Sequence, residues 1–191
     1  MSKTIEMIKN YVPFNEQEVK DKQFFIDCEN IEQILTRENE RCHLTSSGFV
    51  VNKDKTKILC SYHNIYKSWT WVGGHADGDD DMLYVAMKEA KEETSIKSVK
   101  PLLNIPISLE SVPVLGHIKR GKYVPAHIHL NVTYLLEADE TELIETKPDE
   151  NSGVEWLTFD ELLNKATEIY MIPVYKKIIE KIKVLQAEKR I

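Results

Sequence analysis

The sequence has few cysteines, glycines and prolines, and it has no long apolar run. Its three cysteines, Cys28, Cys42 and Cys60, are an odd number without CxxC spacing, so they indicate neither a disulfide framework nor a tetrahedral zinc site. No apolar run approaches the roughly 18 residues of a membrane helix, and residues 1–10 mix charges with apolar residues, unlike a signal peptide. With only 7 glycines and 7 prolines in 191 residues, collagen-like and low-complexity classes are excluded. We therefore expect a soluble, cytoplasmic protein with no membrane partner.

Positive charge is also in deficit. The chain has 25 Lys and Arg against 31 Asp and Glu, a net charge of −6, so a broad basic surface for nucleic acid is not expected. A phosphate-bearing substrate would need a metal ion or a local basic pocket. The 42% of hydrophobic residues in a chain of this length suffices for one core, which favours a single domain.

Apolar periodicity predicts an α/β (α+β) architecture in which a mixed, largely antiparallel sheet has helices on both faces. Residues 15–35 show mostly helical spacing, as do 82–95, 160–164 and the C-terminal segment from Ile172 to Leu185. A hairpin is predicted at 44–51 and 58–62, and a third strand at 69–72 that ends at Gly73-Gly74. Further strands are predicted at 99–107, 112–118, 125–136 and 154–157.

The segment from Gly73 to Ile96 carries the chemistry. On a helix of 3.6 residues per turn, Glu89, Glu92 and Glu93 share an arc of about 100°, which we expect to be exposed beside a separate apolar flank. The neighbouring lysines lie off this arc, so a hard divalent cation such as Mg²⁺ or Mn²⁺ would supply the missing positive charge. An ordinary solvated helix face is the alternative that this local pattern leaves open.

The spacing around this helix resembles the Nudix box of the Nudix (MutT-like) hydrolases, G-x5-E-x7-R-E-U-x-E-E-x-G-U, where U is a bulky aliphatic residue. All spacings are kept, and the positions that match by identity or class are Gly74, Glu89, Glu92, Glu93 and Ile96. The departures are Asp80 for Glu, Lys88 for Arg, a small Ala90, and Ser95 for the last Gly. Segments 42–49, 71–75 and 148–156 are also similar to parts of the family fold, and together with the box they extend the resemblance over about residues 41–165.

The resemblance implies a Nudix-type αβα sandwich in one domain, residues 1–191. Within it we expect an N-terminal helical extension (1–40), a Nudix core (41–165) and a C-terminal helix (166–191). It also implies divalent-metal-dependent hydrolysis of a diphosphate bond in a nucleoside diphosphate linked to another moiety. The substrate within that class stays open among ADP-ribose, nucleoside triphosphates, dinucleoside polyphosphates and nucleotide sugars.

Carried over from the family, the metal ligands are Glu89, Glu92, Glu93 and the carbonyl of Gly74, with Mg²⁺ or Mn²⁺ as cofactor. Glu92 and Lys88, the latter in the place of the family's arginine, are also assigned to catalysis. The family commonly places a proton acceptor outside the box, on a loop. Glu150 is our choice for this catalytic residue because it stands six residues before Trp156, and Asp149 is its nearest rival.

Three histidines are candidates for substrate binding. His127 and His129 are two residues apart on one strand and share a face, so they could contact metal or phosphate, or form a structural pair. His75 follows the Gly-Gly turn and could contact a phosphate. The expected partner is a small nucleotide-type molecule, and a homodimer stays open. The other function considered is a Nudix-fold sensor that binds a nucleotide without cleaving it, although such modules tend to lose box carboxylates that this chain keeps.

Overall fold

The computed structural model describes residues 3–119 and 121–191, which form five helices and ten strands. The helices are α1 (Lys3–Asn10), α2 (Glu16–Asp27), α3 (Met82–Thr94), α4 (Phe159–Lys165) and α5 (Met171–Ala187). The strands are β1 (Cys42–Val51), β2 (Lys57–His63), β3 (Ser68–Thr70), β4 (Val72–His75), β5 (Lys100–Pro101), β6 (Ser108–Val114), β7 (His117–Lys119), β8 (Lys122–Val124), β9 (His127–Glu137) and β10 (Asn151–Thr158). Among these described residues, no helix is long and apolar enough to cross a membrane.

Eight strands form one mixed sheet, which confirms the predicted architecture. Its central order is β10-β2-β1-β9-β5, with β3 on β2, β4 on β1 and β6 on β9. Only the β1–β9 pair is parallel among the described pairings, and its register runs from Cys42 opposite Ile128 to Val51 opposite Glu137. Strands β7 and β8 form a separate hairpin.

Helices cover both faces of this sheet, which makes it the middle layer of an αβα sandwich. Alternation along β1 shows this directly: Val50 packs in the core under α1, α2 and α3, whereas Phe49 and Val51 pack in the core under α4 and α5. All ten residues of β1 are buried because β1 has neighbours on both edges and helices on both faces.

Several predicted boundaries are wrong. The strand placed at 69–72 is two strands, and Gly73-Gly74 continue β4 instead of ending it, paired with Ser47 and Ser46 of β1. Of the strand predicted at 99–107, only β5 forms. Pro106 lies in the connection between β5 and β6, because proline has no N–H to donate to a neighbouring strand. The strand at 112–118 becomes β6 and β7, and the one at 125–136 begins two residues later as β9.

Helix α1 falls within the helical extension expected at residues 1–40, but periodicity did not locate it, and its start depends on a residue far along the chain. The carboxylate of Asp80 accepts the backbone N–H groups of Lys3 at 2.7 Å and Thr4 at 3.2 Å. The first N–H groups of a helix have no partner within the helix, so an acceptor supplied by another loop can cap it. A cap separated by more than seventy residues leaves no local sequence signal.

Candidate active site

Helix α3 carries the three carboxylates of the box, and interactions at its two ends fix its position. It begins after Asp81, whose side chain accepts the backbone N–H of Tyr84 at 3.1 Å. It ends at Ser95, which has φ 60°, in the left-handed region that favours glycine. Ala86 and Ala90 are fully buried, so their small side chains bring the helix close to the sheet.

Glu93 lies inside the protein, and the expectation that all three carboxylates are exposed is wrong for this residue. Its side chain is only 5% exposed, and it accepts the Gly73 backbone N–H at 2.8 Å and the Ser61 hydroxyl at 3.0 Å. Burial raises the pKa of Glu93 to about 8, against the opposing effect of these two hydrogen bonds. On the helical wheel Glu93 borders the apolar flank, and the sheet covers it from that side.

Glu89 sits against the backbone of Gly74. A Cβ atom at Gly74 would lie 2.4 Å from Cδ of Glu89 and within 2.7 Å of both carboxylate oxygens, so only glycine leaves room for this side chain. Burial, followed by repulsion from Glu92, raises the pKa of Glu89. The backbone of β4 therefore forms a cradle for the carboxylate of Glu89, which the family resemblance assigns as a metal ligand.

Glu92 is the exposed member of the three, and two lysines approach it. Lys88 Nζ lies 3.9 Å from Glu92 Oε1, and Lys147 Nζ lies 3.8 Å from Glu92 Oε2 and 3.1 Å from Glu150 Oε2. The lysines of α3 were expected to lie off this arc, yet Lys88 reaches Glu92 from the edge of the arc. Lys147 was missed because its loop reaches α3 only in the folded chain.

A cleft of about 330 Å³ joins these groups, which is within the range of small-molecule sites. The predicted site residues that line it are Gly74, His75, Lys88, Glu89, Glu92, Glu93, His129 and Glu150, together with Asp149. His127 lines an adjoining pocket of about 210 Å³ instead, beside His43, His75 and His129. The structure thus gathers all but one of the predicted residues in one cleft.

Arg37 also lines the cleft and was missed. Its guanidinium donates two hydrogen bonds to the Asp77 carboxylate, at 2.8 and 2.6 Å. This fork holds the loop before β1 against the loop that follows β4. The positive charge of Arg37 is thereby balanced by Asp77. No motif marks Arg37, which lies in an irregular segment.

The residues of this cleft fit a hard divalent cation. Two of the three box carboxylates have pKa values raised by burial, so the folded protein holds acidic groups that a cation would neutralise. The Gly74 cradle fixes one of them, and every donor in the set is an oxygen, the ligand type that Mg²⁺ and Mn²⁺ prefer.

Comparison with known proteins gives a consistent result. The family model for the NUDIX domain matches residues 43–178. A protein from Pelagibacter ubique (strain HTCC1062), named an RNA pyrophosphohydrolase, is 31% identical over 138 residues, 70% of this chain and 87% of that protein. Among solved structures, a C. elegans Ap4A hydrolase in a binary complex has a TM-score of 0.51 at 15% identity, covering 76% of this chain and 98% of that one.

A NUDIX-family hydrolase from Clostridium perfringens has a TM-score of 0.50 at 18% identity, covering 72% of this chain and 96% of that one. At such identities the two solved structures support the fold. The family model spans most of the chain, including the three carboxylates of α3, and the relative from Pelagibacter ubique covers a comparable share. The chain therefore belongs to the NUDIX domain family.

Proposed function

We propose that the Glu89, Glu92 and Glu93 face of α3 is the metal-dependent centre at which this Nudix hydrolase cleaves a pyrophosphate bond. The observation that carries the assignment is the contact between Gly74 and Glu89, since strand β4 leaves no room there for any side chain except the carboxylate. Nudix hydrolases work with divalent metal ions, and the oxygen-only donor set favours Mg²⁺ or Mn²⁺ here. Glu89 and Glu93, with Glu92 and the Gly74 carbonyl, would hold the ion.

The substrate we propose is a small nucleotide-type molecule, a nucleoside diphosphate linked to another moiety. The cleft volume of about 330 Å³ and the net charge of −6 favour a small molecule whose phosphates are neutralised locally. The name of the Pelagibacter ubique relative makes RNA carrying a terminal pyrophosphate bond the second candidate. We further propose that residues 1–191 act as one domain in the cytoplasm.

The reaction is substitution by water at phosphorus. The oxygen of water bonds to phosphorus, the bridging P–O bond breaks, and two phosphorylated products leave. A divalent ion held by the carboxylates of α3 would neutralise charge on the pyrophosphate and make the attacking water more acidic. Glu150 accepts the proton of the attacking water, while Lys147, 3.1 Å from Glu150 Oε2, positions its carboxylate. Lys88 places positive charge beside Glu92 at the rim of the cleft.

Hydrolysis of a substrate panel tests this proposal. We expect turnover of at least one of ADP-ribose, nucleoside triphosphates, dinucleoside polyphosphates, nucleotide sugars or 5′-triphosphate RNA with Mg²⁺ or Mn²⁺, and none with EDTA. Metal at 100 times its Kd should also stabilise the native state by about 2.7 kcal/mol, seen as a higher melting temperature. Binding of a nucleotide without turnover would instead support the sensor alternative. Activity that survives EDTA, with an unchanged melting temperature, would contradict the metal centre.

The proton acceptor is tested by a matched pair of variants on one loop. Glu150→Gln should lower kcat by about 10²-fold or more, because the amide cannot accept the proton. Asp149→Asn changes an adjacent acid that lines the same cleft, and we expect kcat within a few-fold of wild type. Full activity in Glu150→Gln with loss in Asp149→Asn would reassign the role to Asp149.

A further inference from the structure

Four histidine rings lie close together where strands β1 and β9 begin and strand β4 ends. At this point the cleft adjoins the smaller pocket. His43 on β1 lies opposite His129 on β9, and its ring centroid is 5.0 Å from that of His75, 4.9 Å from that of His127 and 5.1 Å from that of His129. The His75 and His129 centroids are 4.8 Å apart. No spacing in the sequence marks His43 as a site residue, since its proximity to His129 depends on the parallel register of β1 and β9.

The geometry of the ring nitrogens is suited to binding a cation. One ring nitrogen from each of His43, His75 and His129 lies within 4.8 Å of the other two. His43 is 4% exposed, and its Nε2 is buried with no hydrogen-bond partner among the described residues. A buried nitrogen of this kind costs free energy unless a partner satisfies it.

Backbone carbonyls fix the tautomers that leave lone pairs available. His43 Nδ1 is 2.8 Å from the carbonyl oxygen of Asn39, and a carbonyl can only accept, so Nδ1 carries the proton and Nε2 carries the lone pair. His127 Nδ1 has the same relation to the Pro125 carbonyl at 2.8 Å. Histidines that bind metals in proteins commonly donate their other N–H to a carbonyl in this way.

We propose that His43, His75 and His129 form a second metal site, which takes a late first-row transition ion such as Zn²⁺ through imidazole nitrogen. Imidazole ligands suit Zn²⁺, Co²⁺, Ni²⁺ and Cu²⁺, whereas the carboxylates of α3 suit Mg²⁺ and Mn²⁺, so the two sites differ in chemistry. This site is independent of the proposed hydrolytic function, and either can fail without the other.

His127 is the available fourth ligand. Its Nε2 shares a hydrogen bond with His129 Nε2 at 3.1 Å, which the ion would replace, since two nitrogens on one tetrahedral Zn²⁺ at 2.0–2.1 Å are about 3.3 Å apart. If His127 stays out, three histidines leave an open position of the kind found in catalytic zinc sites. Since His75 and His129 line the cleft as well as the pocket, the ion would add positive charge to the wall of the cleft.

The charges around the rings allow a cation. Two cations, Arg37 and Lys119, line the pocket beside the rings, together with the acidic Glu40. Arg37 is a nearby cation, and its charge is balanced by the bidentate pair with Asp77.

Zinc binding is measured with chelator-treated protein dialysed against Zn²⁺ in excess Mg²⁺, which occupies the carboxylate site. We expect wild type to retain one Zn²⁺ per chain, and Co²⁺ to give the visible absorption of a tetrahedral nitrogen-bound ion. His43→Gln and His129→Gln should each weaken Zn²⁺ binding at least about tenfold. His117→Gln is the matched control, since His117 lines the same pocket outside the cluster, and it should bind as wild type does.

Glu93→Gln distinguishes the two sites, because it alters the carboxylate site and leaves the histidine cluster unchanged. This variant should retain Zn²⁺. The proposal is overturned if wild type retains no Zn²⁺, if the histidine variants bind as wild type does, or if Glu93→Gln loses the ion. Should His43→Gln fail to fold by circular dichroism, His75→Gln at a less buried ring serves in its place. Hydrolysis with Mg²⁺ or Mn²⁺ is assayed separately, so loss of zinc binding alone leaves the proposed function standing.

Discussion

Replacement of Glu93 by glutamine is expected to lower kcat by at least about 10²-fold, which corresponds to about 2.7 kcal/mol of transition-state stabilisation. Glutamine keeps the size of the side chain, and its carbonyl oxygen can still accept the Gly73 N–H that Glu93 Oε1 accepts at 2.8 Å. The Ser61 hydroxyl can turn to accept from the new amide, since a hydroxyl both donates and accepts. The variant therefore removes charge while leaving packing and hydrogen bonds in place.

The stability of the metal-free variant provides a check that does not depend on activity. The folded-state pKa of Glu93 is raised to about 8, so its favourable contribution is present below the unfolded value near 4.5 and is lost as pH rises towards 8. We expect metal-free Glu93→Gln to melt no lower than metal-free wild type at pH 8. Glu180→Gln, an exposed change on α5, should alter neither kcat nor stability. Near wild-type kcat in Glu93→Gln, on the best substrate of the panel, would contradict the metal-ligand assignment.

Local sequence patterns predicted the elements that local interactions determine. The β1–β2 hairpin, helix α3 and helix α5 have clear periodicity over several turns or a polar turn between apolar strands, and they occur where expected. The box spacing predicted that Gly74, Glu89, Glu92 and Glu93 belong to one site, and all four line one cleft. Glu89 and Glu93 are one turn apart on α3, so their neighbouring positions follow from helix geometry whatever the rest of the fold does. These features follow from chain geometry over about twenty residues.

Features that depend on distant parts of the chain were missed. The start of α1 needs the carboxylate of Asp80, and the place of His43 in the histidine cluster needs the register of β1 on β9. The approach of Lys147 to Glu92 needs the loop before β10 to fold over α3. The burial of Glu93 follows from contact between α3 and the sheet. A helical wheel places Glu93 at the border of the apolar flank and therefore does not decide whether its side chain is buried. Each case requires tertiary contacts, which spacing within one segment cannot supply.

Three charged side chains are buried where the N-terminal helices, the sheet and the C-terminal helix meet. Lys177 of α5 lies 3.1 Å from carboxylate oxygens of both Glu18 of α2 and Glu110 of β6, and all three side chains are at most 5% exposed. Lys181 adds a second contact to Glu18 at 3.0 Å. Burial alone would raise the pKa of Glu18, but attraction to Lys177 and Lys181 outweighs it and holds the pKa below the ordinary value. This network joins the first 40 residues and the last 26 to the core, which supports the proposed single domain.

Lys177→Met should therefore destabilise the protein by about 3 kcal/mol, measured as the free energy of unfolding in urea. Methionine matches the lysine stem in length, so the change leaves two buried carboxylates short of a positive partner without opening a large cavity. The loss should lie at the lower end of the range for broken buried pairs, because Lys181 still reaches Glu18. Lys176→Met is the matched control on the exposed side of α5 and should change the free energy by less than about 0.5 kcal/mol.

The pH dependence of the same variant distinguishes charge from packing. Because the folded-state pKa of Glu18 is lowered, its contribution is present above the unfolded value near 4.5 and is lost as pH falls through the folded value. The difference in stability between wild type and Lys177→Met should therefore shrink on acidification from pH 7. Adding Glu110→Gln to Lys177→Met should restore part of the lost stability, since it removes one of the uncompensated charges. A constant difference across pH, with no rescue by Glu110→Gln, would show that Lys177 stabilises the protein through its packed stem and that the ion pairs contribute nothing measurable.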